Sequence, residues 1–391
     1  MALEIRLSSF STGQPHPLAE RPIIFITSER LPLEHCNVLI EIVGDFLALL
    51  ITFPWERYEH EEIFFLVRWK KGETYYVSDI TTHSSPIACI VTSYAQFPSS
   101  EWRAYACFNF LSEDTLVISN LIQNTLDIVK IVIQSNDIPC LAHLCALNLP
   151  SLTRHASVVC LGCRAEPNPI GSGPLAIPAP SNRPFRDKVE DAIIMFSVLT
   201  EDLQIHPGQP NFVETRSFAF VVHRRALLDH IPAAHRACAP FCSIPASEPP
   251  PEAVRLPWEA WGTSATRWFE GNPAPMRWIT TTAGQRAVMT KDGASTPIIV
   301  RDFNTYAVRS ARTRAAASGH LQQHCDWSEE LPNGNHMVLK VDDNVIAAGS
   351  VFKDDVRSSL PYVEIVTRAD YRYGGILIDE ERILGLKVCA C

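Results

Sequence analysis

Glu62-Ile63-Phe64-Phe65-Leu66-Val67-Arg68-Trp69 runs into Lys70-Lys71-Gly72-Glu73 and then into Thr74-Tyr75-Tyr76-Val77. Aromatic and β-branched side chains fill both arms, where their bulk suits a pleated, half-buried surface. Gly72 supplies turn chemistry between them, so the stretch predicts a β-hairpin. Just upstream, residues 38–43 and 46–52 flank Gly44-Asp45 in the same manner and predict another.

The pattern continues toward the C-terminus. Residues 217–223 alternate with period two, placing Phe218, Phe220 and Val222 on one face. Residues 277–281 and 286–290 flank a turn near Ala283-Gly284. Residues 297–303 read as a strand that leads through Asn304 into a further strand at 306–309. Residues 336–341 are expected to pair with 345–352 around Asp342-Asp343-Asn344, and 376–378 with 383–388 around Asp379-Glu380-Glu381-Arg382.

Many short strands and few helical windows predict an all-β chain. A chain this long must close or cover its strand edges, which sandwiches, barrels and radial propellers do. Ile5-Arg6-Leu7 followed by Ser11-Thr12-Gly13 echoes Phe65 to Trp69 followed by Lys70-Lys71-Gly72, a strand entering a glycine turn. That echo resembles WD40-like blades and favours a single propeller-like array of antiparallel hairpins over residues 1–391, either complete or incomplete at its N-terminus. Three long loops are expected between blades, at about 165–187, 231–262 and 312–335. Six prolines occupy the first, Pro249-Pro250-Pro251 the second, and 313–323 in the third has room for a short helix.

Composition narrows the function classes. The chain has 391 residues, is 46% hydrophobic and carries a formal net charge of -9, so it has apolar surface for a core and no global basic field for nucleic acid or anionic membrane. Its longest apolar stretch, 38–53, is broken by Glu41, Gly44 and Asp45 and is too short to span a bilayer. Glu4 and Arg6 stand where a secretory signal needs an apolar run, no Asn-x-Ser/Thr sequon occurs, and 12 cysteines are too sparse for a disulfide scaffold. An intracellular chain, cytoplasmic or nuclear, is the expectation.

Chemical motifs are weak throughout. His230, His235, Cys238 and Cys242 are zinc-type ligands, but their spacing is not that of a finger and their surroundings are an Ala/Pro-rich loop. Cys160-Leu161-Gly162-Cys163 has redox spacing without a second pair, so buried structural thiols are expected. His320, His324 and Cys325 lack a completing carboxylate. Asp354-Asp355 and Glu380-Glu381 are adjacent acids, which on a strand point to opposite faces and in a turn face water. Gly171-Ser172-Gly173 is not a nucleophile elbow, and no phosphate-cradling glycine loop exists. Arg301, Arg309, Arg312 and Arg314, interleaved with Phe303 and Tyr306, could line a nucleic-acid groove, but a solvated edge is the expectation in so acidic a chain. Cys389-Ala390-Cys391 resembles a doubly prenylated tail but no GTP-binding motif accompanies it. Neither catalytic, cofactor nor metal residues are assigned, and the partner-binding residues are left unknown.

Several runs resemble the F-box proteins of mushroom-forming fungi, in the part that follows the F-box. They include Ser11 to Ala19, Phe110-Leu111-Ser112-Glu113-Asp114, Thr282-Ala283-Gly284-Gln285-Arg286, Val300-Arg301-Asp302-Phe303-Asn304, Ser359-Leu360-Pro361-Tyr362-Val363-Glu364 and Asp379 to Lys387. The resemblance implies a non-enzymatic β substrate-recognition region that binds a client protein. In complete members an F-box docks Skp1 within a cullin-based ubiquitin ligase. Here Leu31-Pro32-Leu33-Glu34 imitates the opening of an F-box, but the β-branched run Val38 to Val43 and the Gly44-Asp45 turn read as strand, turn, strand. Skp1 is therefore expected as a partner only if an F-box lies upstream. The alternative is a propeller enzyme of hydrolase or lyase type with His and carboxylate groups at a channel mouth, and a non-functional fragment is the third reading.

Overall fold

The computed structural model describes residues 2–9, 12–27, 37–52, 63–77, 105–134, 139–169, 188–204, 212–236, 243–244, 253–271, 281–290, 296–319, 326–349, 351–371, 375–379 and 382–386. The chain is mostly β. In order, the first strands are β1 (Ala2–Arg6), β2 (Ile23–Thr27), β3 (Asn37–Val43), β4 (Phe46–Thr52), β5 (Ile63–Arg68), β6 (Glu73–Val77), β7 (Tyr105–Phe110), β8 (Thr115–Asn120), β9 (Thr125–Gln134) and β10 (Pro139–Asn148). Next come β11 (Ala156–Arg164), β12 (Ile193–Gln204), β13 (Phe212–His223), α1 (Arg224–Asp229), α2 (Ala233–Arg236), β14 (Ser243–Ile244), β15 (Val254–Leu256), α3 (Trp258–Ala265) and β16 (Thr266–Glu270). The rest are β17 (Thr282–Ala283), β18 (Arg286–Thr290), β19 (Thr296–Asp302), α4 (Thr305–Ala317), β20 (Trp327–Glu330), β21 (His336–Lys340), β22 (Asn344–Ile346), β23 (Val356–Ser358), β24 (Tyr362–Tyr371), β25 (Gly375–Ile378) and β26 (Ile383–Leu386).

Two compact units form. The first comprises Met1–Ala146, Asn168–Ala179 and Ile231–Arg255. Its four-stranded sheet β3-β4-β5-β6 is an antiparallel meander, and the expected hairpins at Gly44 and Gly72 are both present. Each of these glycines adopts a positive φ, 58° and 68°, which a side chain would oppose. One face of the meander (Phe46, Ala48, Leu50, Phe64, Leu66) packs with Phe108, Phe110, Leu116, Ile118 and Val129 of the β7–β10 sheet. The other face (Leu47, Leu49, Ile51, Val67) packs against Ile24 and Ile26 of the β1-β2 pair. Alternation along β4 thus feeds two cores from one strand.

The second unit comprises Leu147–Pro167, Pro180–His230 and Leu256–Cys391. It holds the four-stranded sheet β11-β12-β13-β16 and a six-stranded sheet ordered β17-β18-β19-β24-β21-β20. The expected strands at 217–223 and 286–290 lie within β13 and β18, the expected 297–303 lies in β19 up to Asp302, and the expected C-terminal hairpin is β25-β26; of the expected strand at 277–281 all but Thr281 lies outside the described residues.

Three expectations are corrected. Residues 306–309 do not continue as a strand; they lie in α4. Asn304 caps that helix by accepting the Tyr306 N–H at 2.8 Å, and the Ala-rich run that follows favours helix. Residues 336–341 and 345–352 do not pair with each other: β21 lies between β20 and β24, while β22 pairs with β23. Arg267 donates to the Asp342 carbonyl and Asn344 donates to the Trp268 carbonyl at 2.8 Å, holding the intervening turn toward β16. The spans expected as loops at 231–262 and 312–335 are also partly regular: α2, β14, β15 and the start of α3 occupy the former, the end of α4 and β20 the latter.

Candidate functional site: a charged cleft over a tryptophan floor

Aromatic residues stack through the second unit. Phe196 lies on Phe220 (centroids 4.6 Å apart) and Phe220 on Trp268 (4.7 Å). Trp268 meets Trp258 edge-on at 5.8 Å, Trp258 meets Trp261 at 5.2 Å, and Phe352 closes the group against Phe218 and Trp268. The i, i+2 spacing of β12 and β13 and the i, i+3 spacing of α3 place these rings together. Edge-to-face and offset stacking are the favoured geometries for such pairs.

Helix α3 carries the first wall of a cleft. Pro257 precedes it in extended conformation, Glu259 sits in its first turn, and Thr266 Oγ1 donates back to the Gly262 carbonyl at 2.7 Å. Trp258 lies across Gly262 so closely that a Cβ there would stand 2.0 Å from the ring. The opposite wall is the segment from Ala348 to Arg357. Its centre is fixed, because Val351 and Phe352 are buried, Thr153 donates to the Val351 carbonyl, and Lys353 N–H donates to the Ser151 carbonyl. Asp355 Oδ1 accepts the Ala348 N–H at 2.9 Å.

Between these walls is a cleft of about 520 Å³ lined by Trp258, Glu259, Thr263, Ala348, Lys353, Asp354, Asp355 and Arg357. Trp258 is only 6% exposed and forms a rigid edge, whereas Glu259, Lys353, Asp354, Asp355 and Arg357 are exposed. Arg357 and Asp355 approach to 3.9 Å, an exposed pair worth little by itself. Glu259 and Asp354 leave the rim acidic beside Lys353.

The sequence-derived candidates distribute differently. Asp354-Asp355 joins this cleft. Cys160 and Cys163 lie on β11, three residues or about 10 Å apart along a strand, too far for a disulfide; Cys163 is buried as expected, whereas Cys160, expected to be buried, is exposed on the outer side of β11. His230 packs edge-on against Trp261 at 6.4 Å. The side chains of His235, Cys238 and Cys242, residues 320–325, Gly171-Ser172-Gly173, Glu380-Glu381, Cys389 to Cys391 and Leu31 to Glu34 lie outside the described residues, and among the described residues no cluster of three His, Cys, Asp or Glu side chains is arranged to hold a metal.

The arginine set is divided. Arg301 is interior: its guanidinium stacks 3.8 Å from the Phe269 centroid and pairs with Glu364 at 2.8 Å. Arg314 reaches Glu329 and Met337 on the neighbouring strands. Arg309 and Arg312 are exposed on α4.

One buried polar group escaped the sequence reading. In the β7–β10 sheet Asp127, fully buried, accepts from Asn120 Nδ2 at 3.1 Å and Thr125 Oγ1 at 2.8 Å, with His143 Nε2 at 3.7 Å. Cys145 stands two residues after His143 on the same face of β10, completing the residue types of a thiol-based triad. Burial, with the Asp127 charge adding to it, pushes the Cys145 thiol up to about 12. It is protonated at neutral pH, and only a thiolate is a competent nucleophile. The group is a knot in the core.

No protein-family model matches the chain, and no curated protein or solved structure matches it.

Proposed function

We propose that the chain is a non-enzymatic protein-interaction module, similar in role to the client-recognition region of an F-box ubiquitin-ligase subunit, and that the cleft beside Trp258 is where a client docks. In this reading the four-stranded sheets β3-β4-β5-β6 and β11-β12-β13-β16 are blades of a propeller-like array. Skp1 joins only through an F-box encoded upstream.

The observation that carries the proposal is the cleft's construction. A tryptophan fixed by its neighbours forms one edge, and exposed charges of both signs surround it. Anchored aromatic groups with a polar rim characterise recognition surfaces, because little side-chain entropy is lost on binding and the rim charges select the partner.

Quantitative affinity capture from cells of the source organism tests this. The wild-type chain is expected to recover a saturable partner that a Glu259→Lys/Asp354→Lys variant loses. Equal recovery by both chains, or no saturable partner, contradicts the proposal. Asp354→Lys falls on an exposed side chain and is expected to change stability by less than about 0.5 kcal/mol, whereas Glu259→Lys reverses the acidic group in the first turn of α3 and is expected to cost about 1 kcal/mol, which leaves the chain folded.

A further inference from the structure

Helix α4 presents a second surface that does not depend on the cleft. Its buried side is Val308, Ala311 and Ala315, packed on Trp327, Met337, Leu339 and Val363. Its first turn holds no acidic residue, and neither does any later turn. Arg314 leans to one flank, where it meets Glu329 at 3.3 Å and lies over the Trp327 ring. Arg309 and Arg312 fall about 140° and 160° around the helix from Arg314, on the other flank, and their i, i+3 spacing sets them side by side. Neither forms an ion pair among the described residues. Beside them Tyr306 is 74% exposed, with the Arg309 guanidinium 5.7 Å from its ring centroid.

We infer that Tyr306, Arg309 and Arg312 form a docking face for an acidic peptide segment of a partner protein. Two adjacent guanidiniums offer paired N–H donors in the geometry that carboxylates accept, and the tyrosine ring adds apolar contact. Charge complementarity selects this occupant. The patch is local and positive within a chain of net charge -9, so a short acidic segment gains attraction that a long polyanion would lose to repulsion from the remainder.

Fluorescence anisotropy with the full chain and a fluorescein-labelled Glu-rich peptide bearing one central Leu tests the inference. Wild-type binding is expected to weaken as salt is raised. Arg309→Glu/Arg312→Glu is expected to weaken it at least about tenfold, since each reversal replaces attraction by repulsion. Tyr306→Ala should weaken it less, while Arg368→Glu, a reversal elsewhere on the surface, should change it by less than about twofold. No binding by wild type, equal loss with Arg368→Glu, or tighter binding of an oligothymidylate of the same charge would each overturn the inference. Because the substitutions at Arg309 and Arg312 lie outside the cleft, failure of one surface is distinguishable from failure of the other.

Discussion

Gly262 and the Trp258 ring occupy the same space on α3, and that single contact shapes one wall of the cleft. Gly262→Ala would set a Cβ 2.0 Å from a ring that Trp261 and Trp268 hold in place. It is expected to cost about 3 kcal/mol, read as a lower urea midpoint at unchanged slope. Arg301 and Arg267 are held by different contacts, the first by an ion pair and the second by a hydrogen bond to a backbone carbonyl. Arg301→Met strands the largely buried Glu364 carboxylate and should cost about 2 kcal/mol. Arg267 stacks 5.2 Å from the Tyr362 centroid, has no ion pair among the described residues and donates to the Asp342 carbonyl, so Arg267→Met removes that hydrogen bond and should cost about 2 kcal/mol. His223 gives a pH signature. Its Nδ1 lies 2.8 Å from the Asp191 carbonyl oxygen and donates to it, and burial holds its pKa below the ordinary 6.5, opposed by the Asp191 and Phe303 carbonyls and aided by Arg225. The unfolded chain therefore takes up a proton first as pH falls through 6.5, so stability present above that pH is lost below it. Denaturant titrations from about pH 7.5 to 5 should show this fall in the wild type and a flatter profile in His223→Gln.

Helix α4 and the hairpins differ in how openly the sequence announces them. The hairpins at Gly44 and Gly72 were legible because each glycine adopts a positive φ that the turn requires, between arms of β-branched or aromatic residues; at Gly284 the second arm was legible, but the arm paired with it is Thr282–Ala283 and not the expected 277–281. The end of α4 falls within the short helix expected at 313–323, but its first turns were missed because Tyr306 to Arg309 reads as strand in isolation, and the cap that decides the matter is one asparagine. Asn304→Ala is expected to cost about 1 kcal/mol and to speed amide exchange over the first turn of α4, measured by hydrogen-exchange mass spectrometry. The pairing of β21 with β20 and β24 was not legible for a different reason. Hydrogen bonds from Arg267 and Asn344 join segments more than 70 residues apart and outweigh the local turn. Of the cleft, Asp354-Asp355 was visible as an acidic pair, but α3 was hidden inside a proline-rich span. The Trp258–Trp261–Gly262 spacing was the signal available for it.

At the scale of the molecule, burial sorts the cysteines. Iodoacetamide should label Cys160 readily under native conditions, while Cys107, Cys145 and Cys163 react only on unfolding, as site-resolved mass spectrometry would show. The same contrast between closed core and open rim underlies the proposed role. The aromatic stack from Phe196 to Trp261 spends its rings on packing, so what it offers to other molecules is a stiff support with Glu259, Lys353, Asp354 and Arg357 around it. The most direct test places a photo-cross-linking amino acid at position 354 and, as a control, at position 216 on β13. The docking account predicts one discrete protein adduct from position 354, abolished by Glu259→Lys in the same chain and absent from position 216. Adducts that are equal at the two positions, or none at 354 under conditions where the chain is folded, would contradict it.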